Sequence, residues 1–265
     1  MHSFPKALFV SHGGGPLPLL GDPGHAEMVS CLKDIAADIP RPDTILVVSA
    51  HWEESVPTVT AASHPSLIYD YYGFPPESYA IEYACPGAPS FAREVHAALE
   101  AAGIGARIDP TRGLDHGVFV PLKIMYPTAD IPCVQLSLAA SLDPDVHIAL
   151  GRALSVLSRS GLLIIGSGFS FHNLRAFFER GGRGHSPENV AFEAWLANVL
   201  TDDALSEDER QRALVAWSQA PGARYCHPRE EHLLPLHVCY GVAQSACTKR
   251  HEVAVMNKKS SFCIW

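Results

Sequence analysis

Several features that would assign a chain quickly are missing from these 265 residues. No apolar run approaches the ~18 residues needed to span a bilayer, and the first ten residues lack the long apolar stretch of a secretory leader. Cationic side chains are scarce, with 20 Lys plus Arg against 28 Asp plus Glu and a formal charge of −8. That balance disfavours a nucleic-acid groove or an anionic membrane surface, so the expected partner is a small molecule, with no nucleic acid and no membrane. The seven cysteines are odd in number, scattered and without a C-x-x-C pair. This excludes a disulfide scaffold and a thiolate zinc motif, and the expectation is a cytoplasmic protein with reduced thiols. Also absent are H-E-x-x-H, G-x-S-x-G, a Walker A loop and a dinucleotide-binding glycine motif. Gly13-Gly14-Gly15 lacks the Lys-Ser/Thr that completes a phosphate loop, and it reads as backbone room beside a functional residue.

What is present is an alternation. Short runs rich in Val, Ile and Leu recur at Ala7–Val10, Thr44–Ser49, Ile131–Leu136 and Leu162–Ile165. They lack polar alternation, as strands buried on both faces of a parallel sheet do. Between and after them, helical spacing covers roughly 24–38, 88–102, 144–159, 188–200 and 229–243, with Gly103 as a helix stop. Strand then helix, repeated, predicts an α/β fold: one domain over residues 1–265, a three-layer α/β/α sandwich on a mostly parallel, mixed sheet. Gly181–Ser186 reads as a surface loop, and the acidic stretch Asp202–Glu209 as a solvated helix start. Tyr69, Tyr71, Tyr72, Phe74, Tyr79 and Tyr83 crowd one excursion from the pattern. Either a substrate wall or an aromatic core beneath a long loop would account for them.

Histidine is over-represented, at 14 residues. In open α/β sheets ligands bind beyond the carboxyl ends of the strands. Three buried runs end in histidine there: Ser11-His12-Gly13, Ser49-Ala50-His51-Trp52, and Gly166-Ser167-Gly168 followed by His172-Asn173. Any one could be a capping or core histidine, but the shared position points to a site. Gly113-Leu114-Asp115-His116-Gly117 sets a carboxylate beside an imidazole, either to aim His116 as an acid or base or simply as an Asp helix cap. His227-Pro228-Arg229-Glu230-Glu231-His232 is expected to start a helix from which His232 reaches the sheet edge. A cluster of neutral imidazoles without cysteine suits Fe(II), Zn(II) or another first-row divalent ion.

Six segments, in this order, resemble the class III extradiol ring-cleavage dioxygenases, in the branch named after 4,5-DOPA dioxygenase extradiol. They are Ser11-His12-Gly13, Ser49-Ala50-His51-Trp52, Tyr72-Gly73-Phe74-Pro75, Gly113 to Gly117, Gly166-Ser167-Gly168 with His172-Asn173-Leu174, and Glu231-His232-Leu233-Leu234-Pro235-Leu236. The resemblance implies one non-haem divalent metal, Fe(II) for activity with Zn(II) possible as the bound ion, held by His12, His51 and His232. It makes His172 a catalytic base or a fourth ligand, and His116 a second acid or base facing the substrate. It implies a catechol, DOPA-like, and O2 as the small-molecule partners and a muconic semialdehyde as product. The branch commonly has Ser-Pro after the first His-Gly where this chain has Gly14-Gly15-Pro16, a difference beside the metal. From residues alone, Glu230 or Glu231 stays open as a carboxylate ligand. A zinc-dependent hydrolase and a metal-binding protein without turnover stay open as alternatives, and nothing in the residues fixes an oligomeric state.

Overall fold

The apolar runs become the inner strands of one sheet. The computed structural model describes residues 4–157, 159–177 and 186–265. Within these the chain forms β1 (Leu8–Ser11), α1 (Ala26–Asp38), β2 (Thr44–Glu54), β3 (Thr58–Thr60), α2 (Pro89–Ala101), β4 (Arg107–Asp109), α3 (His116–Met125) and β5 (Cys133–Ala139). It continues with α4 (Pro144–Ser155), β6 (Leu162–Gly168), α5 (Leu174–Phe177), α6 (Pro187–Thr201), α7 (Glu207–Val215), α8 (Ala223–Cys226), α9 (Leu234–Ala243), β7 (Lys249–Val255) and β8 (Lys258–Ile264). Strand order is β4-β3-β5-β2-β6-β1-β8-β7. The central four, β5, β2, β6 and β1, run parallel, whereas β3 joins β5, β8 joins β1 and β7 joins β8 antiparallel.

Period-two alternation divides the strand residues between two cores. Leu8, Val10, Ile45, Val47, Leu163 and Ile165 pack with Met28, Leu32 and Ile35 of α1 and Phe119 of α3. Phe9, Leu46, Val48, Leu162 and Ile164 face the other way, onto Val95 of α2, Ile148 of α4, Leu196 of α6 and Val238 of α9. This is the expected three-layer arrangement on a mixed sheet. No helix among the described residues is long and apolar enough to cross a membrane.

One expectation needs adjustment. The segment expected to be helical over 229–243 turns helical only at Leu234. Pro235 sits in the first turn, where its ring would clash with a carbonyl four residues earlier if the helix extended back. The His232 carbonyl instead accepts a hydrogen bond from Phe169 N–H at 2.9 Å. Most of the loop expected at 181–186 lies outside the described residues, but Ser186 caps α6 through Asn189 N–H, and Ser206 opens α7 with a reciprocal capping box with Glu209. Gly103 ends α2 at φ +77°, as expected of a helix stop.

His147 in α4 shows how the fold depends on neutral imidazoles. Its Nδ1–H donates to Asp143 C=O at 2.7 Å and its Nε2 accepts Ala139 N–H at 3.2 Å, so only the neutral ring fits both. Burial brings its pKa down to about 4. The neutral ring's contribution is therefore complete above an unfolded value of about 6.5 and is lost as pH falls toward the folded value, ~3 kcal/mol at 1.36 kcal/mol per unit. Denaturant midpoints measured from pH 7 down to 4.5 are expected to fall for the native chain and to fall less steeply for His147→Gln. Equal slopes would show that this ring is not a source of acid sensitivity.

Candidate metal centre and active site

The histidines arrive by different backbone routes. His12 follows β1, with its N–H bonded to Gly168 C=O at 3.0 Å, so β1 and β6 end together. His51 lies within β2, where pairing with β5 loses register between Val48 and Glu53; such irregularities re-aim a side chain. His116 is the first residue of α3. His172 lies beyond β6, held by its N–H to Cys226 C=O at 2.9 Å. His232 sits in the turn before α9, held by the Phe169 bond. At Gly168 a side chain would run into the His232 carbonyl, and at Gly166 into that of Pro235, so these glycines let the turn lie directly on the strand.

All five imidazoles meet at this edge. Ring centroids are 4.8 Å apart for His12 and His51, 5.3 Å for His12 and His232, and 4.9 Å for His51 and His232. His116 lies 3.9 Å from His51, and His172 stacks on His232 at 3.3 Å with 15° between planes. His12, His51 and His116 offer donor atoms within 4.8 Å of one another, and His172, Glu231 and His232 form a second such group.

Partners on the outer nitrogens fix which inner ones are free. Ser167 Oγ–H donates to Gly117 C=O, so the same oxygen accepts from His12 Nδ1–H at 3.1 Å. His232 Nδ1 faces Glu231 Oε1 at 3.1 Å, His172 Nδ1 faces the same oxygen at 3.3 Å, and His51 Nδ1 faces Asp70 Oδ2 at 3.5 Å. The Nε2 lone pairs are then left inside, and those of His12 and His51 stand 3.0 Å apart. Bare nitrogens facing one another repel, so the donor set fits a divalent cation. Burial, then the neighbouring imidazoles, hold His12 and His232 well below the usual imidazole pKa; burial and His116 do so for His51. Although burial works against it, hydrogen bonds and charge from His116 and His51 bring Asp70 down to about 2. Glu230 pairs with Arg224 at 2.7 Å, whereas Glu231 faces the outer nitrogens of two histidines.

Sequence reasoning located the five histidines but missed what holds them. Asp115 occupies the cap position of α3, yet its side chain neither caps nor aims His116. Burial raises its pKa, and it accepts Ser49 Oγ–H at 2.7 Å and the Gln135 amide. His116 is aimed by Asp70, whose Oδ1 accepts Nδ1–H at 2.8 Å and the backbone N–H at 3.0 Å. The glycine loop is held by His25, which accepts Gly14 N–H at 3.0 Å and is itself oriented by Asp22 at 2.7 Å. Gly13 lies at φ +81° with the His25 ring where a side chain would go, so the expected backbone room is real.

At the rings opens a cavity of about 740 Å³ whose apolar lining includes Leu17, Phe74, Phe169, Leu174, Phe177 and Met256. Tyr71 and Tyr72 also line it, while Tyr69 and Tyr83 bond backbone carbonyls of Ile81 and Tyr126 beneath. The aromatic excursion is thus both wall and core. Arg229 and Glu53 also line the cavity, paired at 2.5 and 2.7 Å.

The family model described as the catalytic LigB subunit of aromatic ring-opening dioxygenase matches residues 7–261. The chain is 45% identical over 251 residues to dioxygenase tasH of Hapsidospora irregularis, covering 88% of this chain and 76% of that one. It is 38% identical over 241 residues to 4,5-DOPA dioxygenase extradiol of Beta vulgaris, covering 90% and 87%. The crystal structure of an uncharacterized protein from Escherichia coli K12 superposes with a TM-score of 0.78 at 30% identity, covering 99% and 100%.

The close seat of the 228–233 turn on β6 gives a direct test. Gly168→Ala is expected to cost about 1–3 kcal/mol of stability, as overpacking does, and to displace His232. Chemical denaturation together with the His232 ring signals in NMR would show both. Unchanged His232 signals would mean that the turn is held by other contacts.

Proposed function

The chain belongs to the family of catalytic LigB subunits of aromatic ring-opening dioxygenases, which are non-haem metal-dependent, and we propose that it opens a catechol-type ring with O2 beside the diol, giving a muconic semialdehyde. His12, His51 and His232 are the ligands in this reading, with Fe(II) as the working ion and Zn(II) able to occupy the same nitrogens. The observation that carries it is the near-equilateral triangle of these rings, 4.8, 4.9 and 5.3 Å between centroids. Imidazoles bound to one ion at about 2.1 Å per nitrogen place their centroids roughly 5 Å apart. His116, at 3.9 Å from His51, and His172, stacked at 3.3 Å on His232, lie too close to those neighbours to belong to the same spacing. Their positions suit proton handling. The family match displaces the hydrolase alternative.

A bound metal supplies Lewis-acid activation of the diol and electron transfer to O2. The chain's own residues do the rest. His116, with Nδ1–H held by Asp70, presents Nε2 to accept a phenolic proton, and the carboxylate stabilises the resulting imidazolium. His172, backed by Glu231, offers a second place for a proton across the cavity. Leu17, Phe74, Phe169 and Phe177 offer the ring an apolar seat beside the imidazoles. DOPA is one catechol of suitable chemistry. The seven free, buried thiols support a cytoplasmic setting.

Fe(II)-reconstituted protein in an oxygen electrode, offered DOPA, dopamine, caffeate and protocatechuate, is expected to consume O2 with at least one and to form a yellow semialdehyde. No uptake with any catechol would contradict the proposal. Metal analysis separates the roles. His51→Ala is expected to lose the metal, whereas His116→Ala keeps it and turns over roughly 100-fold to 10,000-fold more slowly. Retained metal with lost activity is likewise expected of His172→Ala, and loss of the metal there would make His172 a fourth ligand.

A further inference from the structure

We propose that Asp70 is the positioning residue of this site, its carboxylate fixing His116 in the tautomer and orientation that turn Nε2 toward the cavity. This rests on the role just proposed for His116 and adds the residue on which its orientation depends.

The backbone brings Asp70 there with little freedom. Leu67 and Leu114 form a parallel bridge, with Ile68 N–H on Leu114 C=O and Leu114 N–H on Ser66 C=O, both at 2.8 Å. The loop bearing Asp70 is thereby strapped to the loop that leads into His116. A side chain at Gly113 would collide with the Ser66 carbonyl, so the glycine serves this close approach. On either side of Asp70, the Tyr69 and Tyr71 hydroxyls donate to Ile81 and Ser78 carbonyls at 2.7 and 2.6 Å. These ties hold the backbone on both sides of Asp70 in place.

Its two oxygens divide the work. Oδ1 takes two bonds from one residue, the backbone N–H and the ring Nδ1–H of His116, which fix both the ring plane and the place of the proton. Oδ2 lies 3.5 Å from His51 Nδ1. An imidazole free in water carries its proton mainly on Nε2; an acceptor at Nδ1 reverses this and leaves Nε2 as the lone pair. Asp70 does not itself line the cavity, so it acts through the rings and not on the substrate. A simpler role is available, because the bond to His116 N–H also satisfies a free donor at the start of α3. That role alone would cost stability and leave the tautomer untouched.

The test uses histidine tautomers read by two-bond ¹H–¹⁵N NMR in the metal-free protein, beside kcat, KM and thermal stability of the Fe(II)-loaded protein. The native chain is expected to hold His116 as Nδ1–H. Asp70→Ala is expected to move the proton to Nε2 and to lower kcat about 10-fold to 100-fold, the usual worth of such a partner, with KM unchanged within about twofold. Asp70→Asn, whose amide oxygen can still accept Nδ1–H, is expected to restore the tautomer and part of kcat. An Asp70→Ala protein that keeps Nδ1–H, that only melts earlier with kcat intact, or that changes KM alone would overturn the proposal. If Asp70→Ala does not fold, Asp70→Asn decides: retained Nδ1–H with partial kcat supports it, and a proton on Nε2 overturns it. The NMR readout needs no turnover, so a protein inactive on every catechol would refute the reaction while still deciding the role of Asp70.

Discussion

Imidazoles packed within about 5 Å of one another cannot all be charged, because like charges at that range in a partly dry site cost several kcal/mol. Much of the site's arrangement answers that constraint. Burial and mutual repulsion keep His12, His51 and His232 neutral. Neutral rings still need their outer N–H groups satisfied, and the chain provides an acceptor or carboxylate for each: Ser167 for His12, Asp70 for His51 and His116, Glu231 for His232 and His172. What remains is a set of inward lone pairs, an arrangement complementary to a cation and poorly stable without one.

The sheet exists to deliver those rings to one place. Parallel β1, β6 and β2 end at the same edge, so residues 12, 51 and 172, far apart in the chain, become neighbours. Glycines at 166 and 168 let a fourth segment lie on β6 and bring His232 in from the opposite side. The same edge faces an apolar cavity, so polar chemistry at its floor meets a wall suited to an aromatic ring. Stability and function share one requirement here, since buried structural rings such as His147 and His227, the latter brought down to about 3 by burial, also fit only when neutral.

Much of this was legible in the residues and some was not. The inner strands could be read because both faces are buried, which leaves a continuous apolar signature. The histidines could be read because a strand end is a position in sequence. His232 was found for a partly mistaken reason: its place is set by a backbone bond to Phe169, not by a helical face, and a main-chain contact leaves no residue signature except Gly168. Asp70 was hidden among tyrosines, 46 residues from the ring it orients, and only the bridge of Leu67 to Leu114 brings them together. Asp115 matches neither of its two readings, because the start of α3 sends its side chain toward Ser49 and Gln135.

Two separate donor groups adjoin at the site, and the proposed ligand triangle draws on both. Anomalous diffraction at the iron edge, from crystals loaded anaerobically with Fe(II), tests this most directly. One peak is expected, about 2.0 to 2.2 Å from nitrogens of His12, His51 and His232, with His116 and His172 outside bonding distance. A peak held instead by His12, His51 and His116, or by His172, Glu231 and His232, would contradict it.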